Sequence, residues 1–232
     1  MSTQTSVSGD LLTEIGSIVS HYRGQDKWLE YNRGTMTKKG AAVFARQHGI
    51  FTRHSRQAWA YVVGNCPEVE VRRFIVRENL YEEEGIEELS HYLKLVRMAN
   101  ALDISDEEMH NAEPLPSTRA ALLIWETLTK DRHWLIGATA KGALEYRTTS
   151  GEEGKHWMDK LGLSRGQADF HLMHHEADKV HSGGTFDLVL KYLPRYKEVD
   201  PKDILDAVDA SMYAYIKMFR AGMAEAAAAA DR

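Results

Sequence analysis

The chain has 232 residues, of which 43% are hydrophobic and 27% are charged, which is the balance of an ordinary globular protein and excludes a disordered chain. We expect a single domain over residues 1–232, with flexible ends at about residues 1–8 and 226–232. The net charge of −5 provides no general attraction for nucleic acid or for an anionic membrane surface, so the expected partner is a small molecule.

Apolar residues recur at intervals of three and four along most of the chain, and the five prolines fall between these segments. This pattern predicts an all-α protein. The expected helices cover about residues 9–23, 36–64, 67–101, 117–131, 133–162, 165–182 and 201–228, with short helices near 105–112 and 185–193. Gly183 and Gly184 are expected to break the chain after His181. About seven packed helices can form a site from side chains that point inward.

The compartment is expected to be the cytoplasm. A single cysteine, Cys66, cannot form an internal disulfide, although a bond to a second chain stays open. The first ten residues lack the basic start and the apolar stretch of a secretory signal. No apolar run approaches the roughly 20 residues that a membrane span needs.

The densest group of ionisable residues is FHLMHHEADKVH, residues 170–181. On a helix, His174, Asp178 and His181 share one face, and His171 can extend that face by a turn. Imidazole and carboxylate ligands suit Fe(II) and leave positions open for dioxygen, although zinc accepts them too. The alternative is a helix whose histidines face water.

A second group lies in LYEEEGIEELSHYLKL, residues 80–95. Glu84 and His91 are seven residues apart, roughly 10.5 Å along a helix, so they can bind one ion only if the helix is bent or unwound. Gly85 permits that distortion. Glu88 is the reserve ligand, because Glu-x-x-His is the spacing of ferritin-like di-iron bundles. The alternative is a solvated acidic face.

The third contribution is Glu145, which follows the small residues of GATAKGALE. Small residues allow helices to approach closely, and a glutamate on such a face is costly to bury without a partner. A metal ion would be a suitable partner. A salt bridge to Arg147 is the equally weighted alternative.

Taken together, Glu84, His91, Glu145, His174, Asp178 and His181 resemble the ligand pattern of the haem-oxygenase-like di-iron oxidases and oxygenases. YNRGTMTK at residues 31–38, the acid-then-histidine segment and HHEADKVH resemble in particular the chlamydial protein associating with death domains and its relatives. The resemblance can be followed over about residues 20–220. It implies a seven-helix bundle, two iron ions held by these six residues, no haem, and dioxygen as co-substrate.

Relatives of this type N-oxygenate amines, fragment amino acids, form alkenes from fatty acids or make 4-aminobenzoate by consuming their own side chains. The cofactor-independent members of the fold lack the complete ligand set, and all six positions are filled here. In the self-sacrificing type a lysine corresponds to Lys155, but the tyrosine it consumes falls at Trp28, with Tyr31 only nearby. That activity therefore ranks below oxidation of an external substrate.

The leading hypothesis is a biosynthetic enzyme in which a peroxo-di-iron intermediate oxidises a small amine, amino acid or related metabolite by N-oxygenation or by C–H or C–C cleavage. An external electron donor and a homodimer are left open, and so is a non-catalytic helical binding protein. Residues that could line a substrate pocket, for which core packing is the alternative, are Tyr81, Trp125, Trp134, Tyr146, Arg77, Arg147 and Lys155. The two arginines could hold a substrate carboxylate.

Overall fold

The computed structural model describes residues 2–86, 89–146 and 150–232, and the side chains of residues 10–86, 89–146, 151–173 and 182–232. All regular structure in these ranges is helical, which confirms the predicted all-α class. The α-helices are α1 (Ser2–Arg23), α2 (Lys27–Gly34), α3 (Lys38–Asn65), α4 (Val69–Phe74), α5 (Tyr81–Glu84), α6 (His91–Asn100), α7 (Asp106–His110), α8 (Pro116–Glu126), α9 (Trp134–Glu145), α10 (Ser150–Leu161), α11 (Asp169–Tyr192), α12 (Pro201–Tyr213) and α13 (Ala221–Ala230).

Several of these helices are joined by wider π-helical turns. Ile75–Leu80 connects α4 to α5, Thr127–Asp131 extends α8, and Ala214–Arg220 joins α12 to α13. A short 3-10 turn, Leu193–Arg195, follows α11. The segment Ile75–Leu80 leads into the acidic residues before His91. Because π turns are rare and often lie at functional sites, this segment is a candidate part of a functional site.

Side-chain caps account for many of the helix starts. Asp26 accepts hydrogen bonds from the first backbone N–H groups of α2, and Ser105 with Glu108 forms a reciprocal capping box at α7. Pro201 occupies the first turn of α12, where its missing N–H costs nothing, behind the cap Asp200. Polar side chains thus define the starts of α2, α7 and α12.

The expected single helix over 67–101 is divided. Gly85 adopts a left-handed conformation with φ of 69°, which ends α5, and Ser90 caps a new helix that begins at His91. Periodicity alone missed this break because apolar spacing continues on both sides of it. The expected helix over 133–162 is likewise two helices, α9 and α10.

Gly183 and Gly184 do not break the chain, since α11 is continuous from Asp169 to Tyr192. Gly184 instead allows a close helix contact: a Cβ at this position would lie 2.3 Å from Cζ of Phe74. The prediction of a break was wrong because glycine at a helix crossing serves packing and not flexibility.

The core is aromatic, with all five tryptophans almost completely buried. Helix α9 lies at its centre, and every residue from Trp134 to Leu144 is buried. The predicted close approach at its small residues is present, because a Cβ on Gly142 would lie 3.2 Å from Cγ2 of Thr185 on α11. No helix in the described residues is both long and apolar enough to span a membrane.

At the C-terminal end, α13 extends to Ala230, and the next residue, Asp231, is held by two hydrogen bonds. Asp231 accepts hydrogen bonds from the hydroxyl of Tyr31, at 2.8 Å, and from that of Thr37. These contacts attach the end of the alanine-rich helix to α2 and to the residue that caps α3.

Candidate metal centre

His91 is the first residue of α6 and is buried. Its Nδ1 lies 3.4 Å from Oε2 of Glu83, and its Nε2 lies 3.8 Å from Oε2 of Glu82. The turn at Gly85 folds the acidic α5 back over the start of α6, so that residues eight and nine positions apart come together. The imidazole of His91 therefore lies close to one buried carboxylate, that of Glu83, and to the partly exposed carboxylate of Glu82.

The structure does not bring Glu84 to this point. The Glu84 side chain is half exposed and lies 3.4 Å from Nη1 of Arg56 on α3, whereas the neighbouring Glu83 is turned inward. Burial alone would raise the pKa of Glu83. The hydrogen bond to His91 and the charges of His91 and Lys141 outweigh that effect and place the pKa of Glu83 below its usual value.

Glu145 is the last residue of α9 and is half-buried. The end of this helix is held by Arg23 of α1, whose guanidinium donates to the carbonyl oxygens of Leu144 at 2.6 Å and Tyr146 at 3.3 Å. A cation at a helix C-terminus compensates the unpaired carbonyls there. Arg23 thus fixes the place from which Glu145 projects.

The packing register of α6 against α11 shows which part of the α11 backbone lies level with His91. Arg97 donates to Asp169 at 3.0 Å, and Nζ of Lys94 lies 2.7 Å from the sulfur of Met173. The two helices are therefore antiparallel, and one further step of three residues along α6 takes His91 level with the backbone of residues 176–177.

The register of α9 against α11 leads to the same segment. Trp134 contacts Tyr192 with ring centroids 6.1 Å apart, and Gly142 packs against Thr185. These helices are also antiparallel, so Glu145 comes level with the backbone of residues 181–182. His91 and Glu145 therefore flank residues 174–181 from two different helices.

His174, Asp178 and His181 lie on the backbone of α11 but outside the described side chains, and Glu88 and Arg147 lie outside the described residues. Among the side chains that are described, no three His, Cys, Asp or Glu residues form a metal-binding group. The described residues nevertheless fit iron chemically, because a buried imidazole and inward carboxylates border the segment that carries the other predicted ligands.

His171, the reserve ligand on α11, is buried among aromatic rings. Its ring centroid lies 5.0 Å from that of Trp157 and 5.2 Å from that of Phe44, and burial lowers its pKa to about 4. His48 of α3 stacks on the opposite part of the same cluster, at 4.6 Å from Phe44, and burial lowers its pKa to about 3. Both imidazoles are therefore neutral at physiological pH.

Most of the predicted pocket residues have other surroundings. Arg77 is exposed and pairs with Glu78, so it does not face the interior. Trp134 packs against Tyr192 and Tyr196 at the opposite end of α9 from Glu145, roughly 16 Å away along the helix.

Core packing also accounts for two further pocket candidates, Trp125 and Tyr146. Trp125 donates to Oγ of Ser211 at 3.1 Å, within the core. Tyr146 is half-buried against Phe186, and Tyr81 is half-buried at the start of α5. Of the set, Tyr81 and Tyr146 are the two nearest in sequence to the acidic residues that border the centre.

Two residues bear on self-sacrificing chemistry, Trp28 and Lys155. Trp28 is fully buried and donates from Nε1 to Oε2 of Glu153 at 3.1 Å, which makes it part of a structural polar network. Lys155 is exposed on α10, as expected for a surface lysine.

Lys141 is a residue of this region that the sequence patterns did not single out. It is 2% exposed, donates to Oγ of Ser55 at 2.8 Å, and lies over the rings of Trp59 and Phe51. The sequence feature that could have indicated Lys141 is its position four residues before Glu145 on α9, because residues four apart share a helix face. Glu83 was not predicted as a ligand, because its neighbour Glu84 stands seven residues before His91, as in the family that the sequence resembles.

Comparison with known proteins identifies the family and the fold. The family model described as iron-containing redox enzyme, of the haem-oxygenase-like type, matches residues 42–216, which include α6, α9 and α11. No curated protein matches the chain significantly.

Solved structures show the same fold at low sequence identity. A domain of unknown function with a haem-oxygenase-like fold from Shewanella denitrificans is 15% identical with a TM-score of 0.70, over 96% of this chain and 92% of that one. A TenA homologue from Pseudomonas syringae is 13% identical with a TM-score of 0.70, over 91% of each chain. With the family model matching most of the sequence, this chain belongs to the haem-oxygenase-like family of iron-containing redox enzymes.

Proposed function

We propose that this protein is a non-haem di-iron oxidase or oxygenase that uses dioxygen to oxidise a small amine, amino acid or related metabolite. Its ligands would be Glu84, His91, Glu145, His174, Asp178 and His181, with Glu83 as a rival to Glu84 and with Glu88 and His171 in reserve. The proposal places the chain beside relatives of the chlamydial protein associating with death domains, because of the ligand spacing that they share.

The observation that carries the proposal is the convergence of two helices on one segment of a third. His91 and Glu145 come level with the segment of α11 over residues 174–181, which carries His174, Asp178 and His181 at helical spacing. A mixed imidazole and carboxylate set of this kind suits iron better than a structural zinc site, which favours cysteine and closed tetrahedral geometry. The family match supports an iron-dependent redox reaction.

The chain itself would supply orientation, charge and exclusion of water. Ferrous ions, when bound, would provide the electrons for dioxygen chemistry. The buried Lys141 and Lys94 would balance part of the negative charge of the carboxylates, and the aromatic residues around His48 and His171 would keep bulk water away. Glu83 would hold the imidazole of His91 in one orientation through Nδ1.

An anaerobic Fe(II) titration of the purified protein, followed by exposure to oxygen, tests the proposal. We expect about two irons per chain and a transient visible absorption after oxygen is added. Oxygen uptake with a panel of amino acids, amines and fatty acids would then identify the substrate class. Fewer than one bound iron per chain, with no transient absorption, would refute the proposal.

Two histidine variants, one at a predicted ligand and one at the surface, provide a matched comparison. His174→Ala should remove iron from one site and abolish oxygen consumption. His110→Ala changes an exposed histidine at the end of α7 and should leave iron content and oxygen uptake unchanged. Equal iron content in both variants would show that the metal centre was misassigned.

A further inference from the structure

Asn79, at the end of the π-helical segment Ile75–Leu80, has a side chain with no explained role. It is 2% exposed, and neither its amide nitrogen nor its amide oxygen forms a hydrogen bond with any described residue. A carboxamide can donate two hydrogen bonds and accept two, and leaving all of them unmade in a dry interior is costly. Such a cost indicates that another polar group belongs at this position.

Trp59 of α3 is in a similar state. It is fully buried, and its indole N–H has no hydrogen-bond acceptor in the described part of the chain. A buried tryptophan N–H normally finds an acceptor, because a buried donor without one costs free energy. Two unused polar groups therefore lie on two neighbouring elements, α3 and the segment Ile75–Leu80.

The packing register places these two residues at the same level of neighbouring elements. Glu83 hydrogen-bonds to Ser55, and Arg56 pairs with Glu84, so the start of α5 lies opposite this turn of α3. The two elements are antiparallel because only Cys66–Glu68 separates α3 from α4. Four residues back from Glu83 is Asn79, and four residues forward from Ser55 is Trp59. Asn79 and Trp59 are therefore level with each other, one helical turn from the carboxylate that contacts His91.

The charge around this position selects the kind of group that fits. The ammonium of Lys141 lies 5.4 Å from the ring centre of Trp59 and reaches Oγ of Ser55, one turn away. The indole and the amide nitrogen of Asn79 add three neutral N–H donors. A site rich in donors and close to an ammonium is complementary to a carboxylate.

We propose that Asn79 and Trp59 form a binding site for the carboxylate of a small organic acid, such as an amino acid, beside the metal centre. The proposal rests on the proposed function, since bound ferrous ions would add positive charge that a buried carboxylate requires. It replaces Arg77, which faces solvent, as the group that holds a substrate acid.

The test uses acetate as the probe and methylammonium as its cationic counterpart, both titrated calorimetrically into the Fe(II)-loaded protein without oxygen and into the metal-free protein. We expect acetate to bind the loaded wild-type protein and methylammonium not to bind. Asn79→Leu, which has nearly the same shape without polar atoms, should weaken acetate binding by at least about tenfold. Trp59→Phe should weaken it in the same direction.

The matched control is Thr118→Val on α8, which removes a different buried polar group that has no hydrogen-bond partner among the described residues. It should leave acetate binding unchanged. Asn79→Leu should also unfold at the same or a higher urea concentration than wild type, because it removes an unsatisfied polar group. Equal acetate affinity in wild type and Asn79→Leu, no acetate binding to wild type, or a lower unfolding midpoint for Asn79→Leu would overturn the inference. Failure to bind iron would instead refute the proposed function.

Discussion

At the residue scale, the protonation of His48 affects the stability of the folded protein. Burial is the main reason that the pKa of this imidazole falls to about 3, compared with an ordinary value near 6.5. Below pH 6.5 the unfolded chain takes up a proton that the folded chain refuses, so the folded state loses stability as the pH falls toward 3. The loss approaches about 1.4 kcal/mol per pH unit for one histidine.

We therefore predict that the free energy of unfolding of the metal-free protein falls between pH 6.5 and 4, and that His48→Phe makes the fall shallower. Phenylalanine keeps an aromatic ring against Phe44 and does not titrate. Urea unfolding at several pH values measures the slope. His21→Phe, which changes a histidine at the exposed end of α1, is the control, and a slope unchanged by His48→Phe would contradict the prediction.

A second prediction at this scale concerns Glu83, whose contact with His91 the sequence pattern did not indicate. Its carboxylate contacts His91 inside the bundle, while Glu84 pairs with Arg56 at the surface. We predict that Glu83→Gln lowers the free energy of unfolding of the metal-free protein by about 1–3 kcal/mol, because it removes a charged hydrogen-bond partner in the interior. Glu84→Gln should change it by less than about 1 kcal/mol, as for exposed ion pairs. Urea titrations compare the two variants, and equal losses would contradict the prediction.

At the element scale, the crossing of α4 and α11 depends on one glycine. Gly184→Ala places a methyl group within 2.5 Å of two ring carbons of Phe74, so that either the Phe74 ring or one of the two helices must move. We predict a loss of about 1–3 kcal/mol in the free energy of unfolding. The measurement is chemical denaturation of the purified variant.

Gly183→Ala is the control in the same turn of α11. Nothing lies within 4 Å of a Cβ at Gly183, so alanine there should be neutral or should stabilise the helix by up to about 1 kcal/mol. If both alanine variants were equally stable, the contact between Gly184 and Phe74 would not limit the approach of the helices.

At the scale of the whole molecule, a buried ion network joins distant parts of the chain. Arg220, which follows α12, donates to Asp26 and to Glu153 of α10 at 2.7 Å each, and all three side chains are almost completely buried. Trp28 of α2 donates to the second oxygen of Glu153. The network therefore holds the N-terminal, central and C-terminal parts of the chain together.

We predict that Arg220→Ala costs about 3–5 kcal/mol in the free energy of unfolding, because it leaves two carboxylates buried without their cation. Lys202→Ala removes an exposed pairing with Asp206 and should cost less than about 0.5 kcal/mol. Thermal and urea unfolding of both variants provide the comparison. Similar losses would mean that the buried network adds nothing beyond a surface pair.

The sequence by itself determined the all-helical class, most helix positions and the family, because apolar periodicity and ligand spacing are local properties of the chain. It also singled out His91 and Glu145, which the fold brings to the same segment of α11. The break at Gly85, the close contact at Gly184 and the choice of Glu83 over Glu84 beside His91 were decided only by tertiary structure. Each depends on which neighbouring helix a residue faces. Asn79 and Trp59 have no signature in the sequence, since an unused hydrogen-bonding group is recognisable only once its surroundings are known.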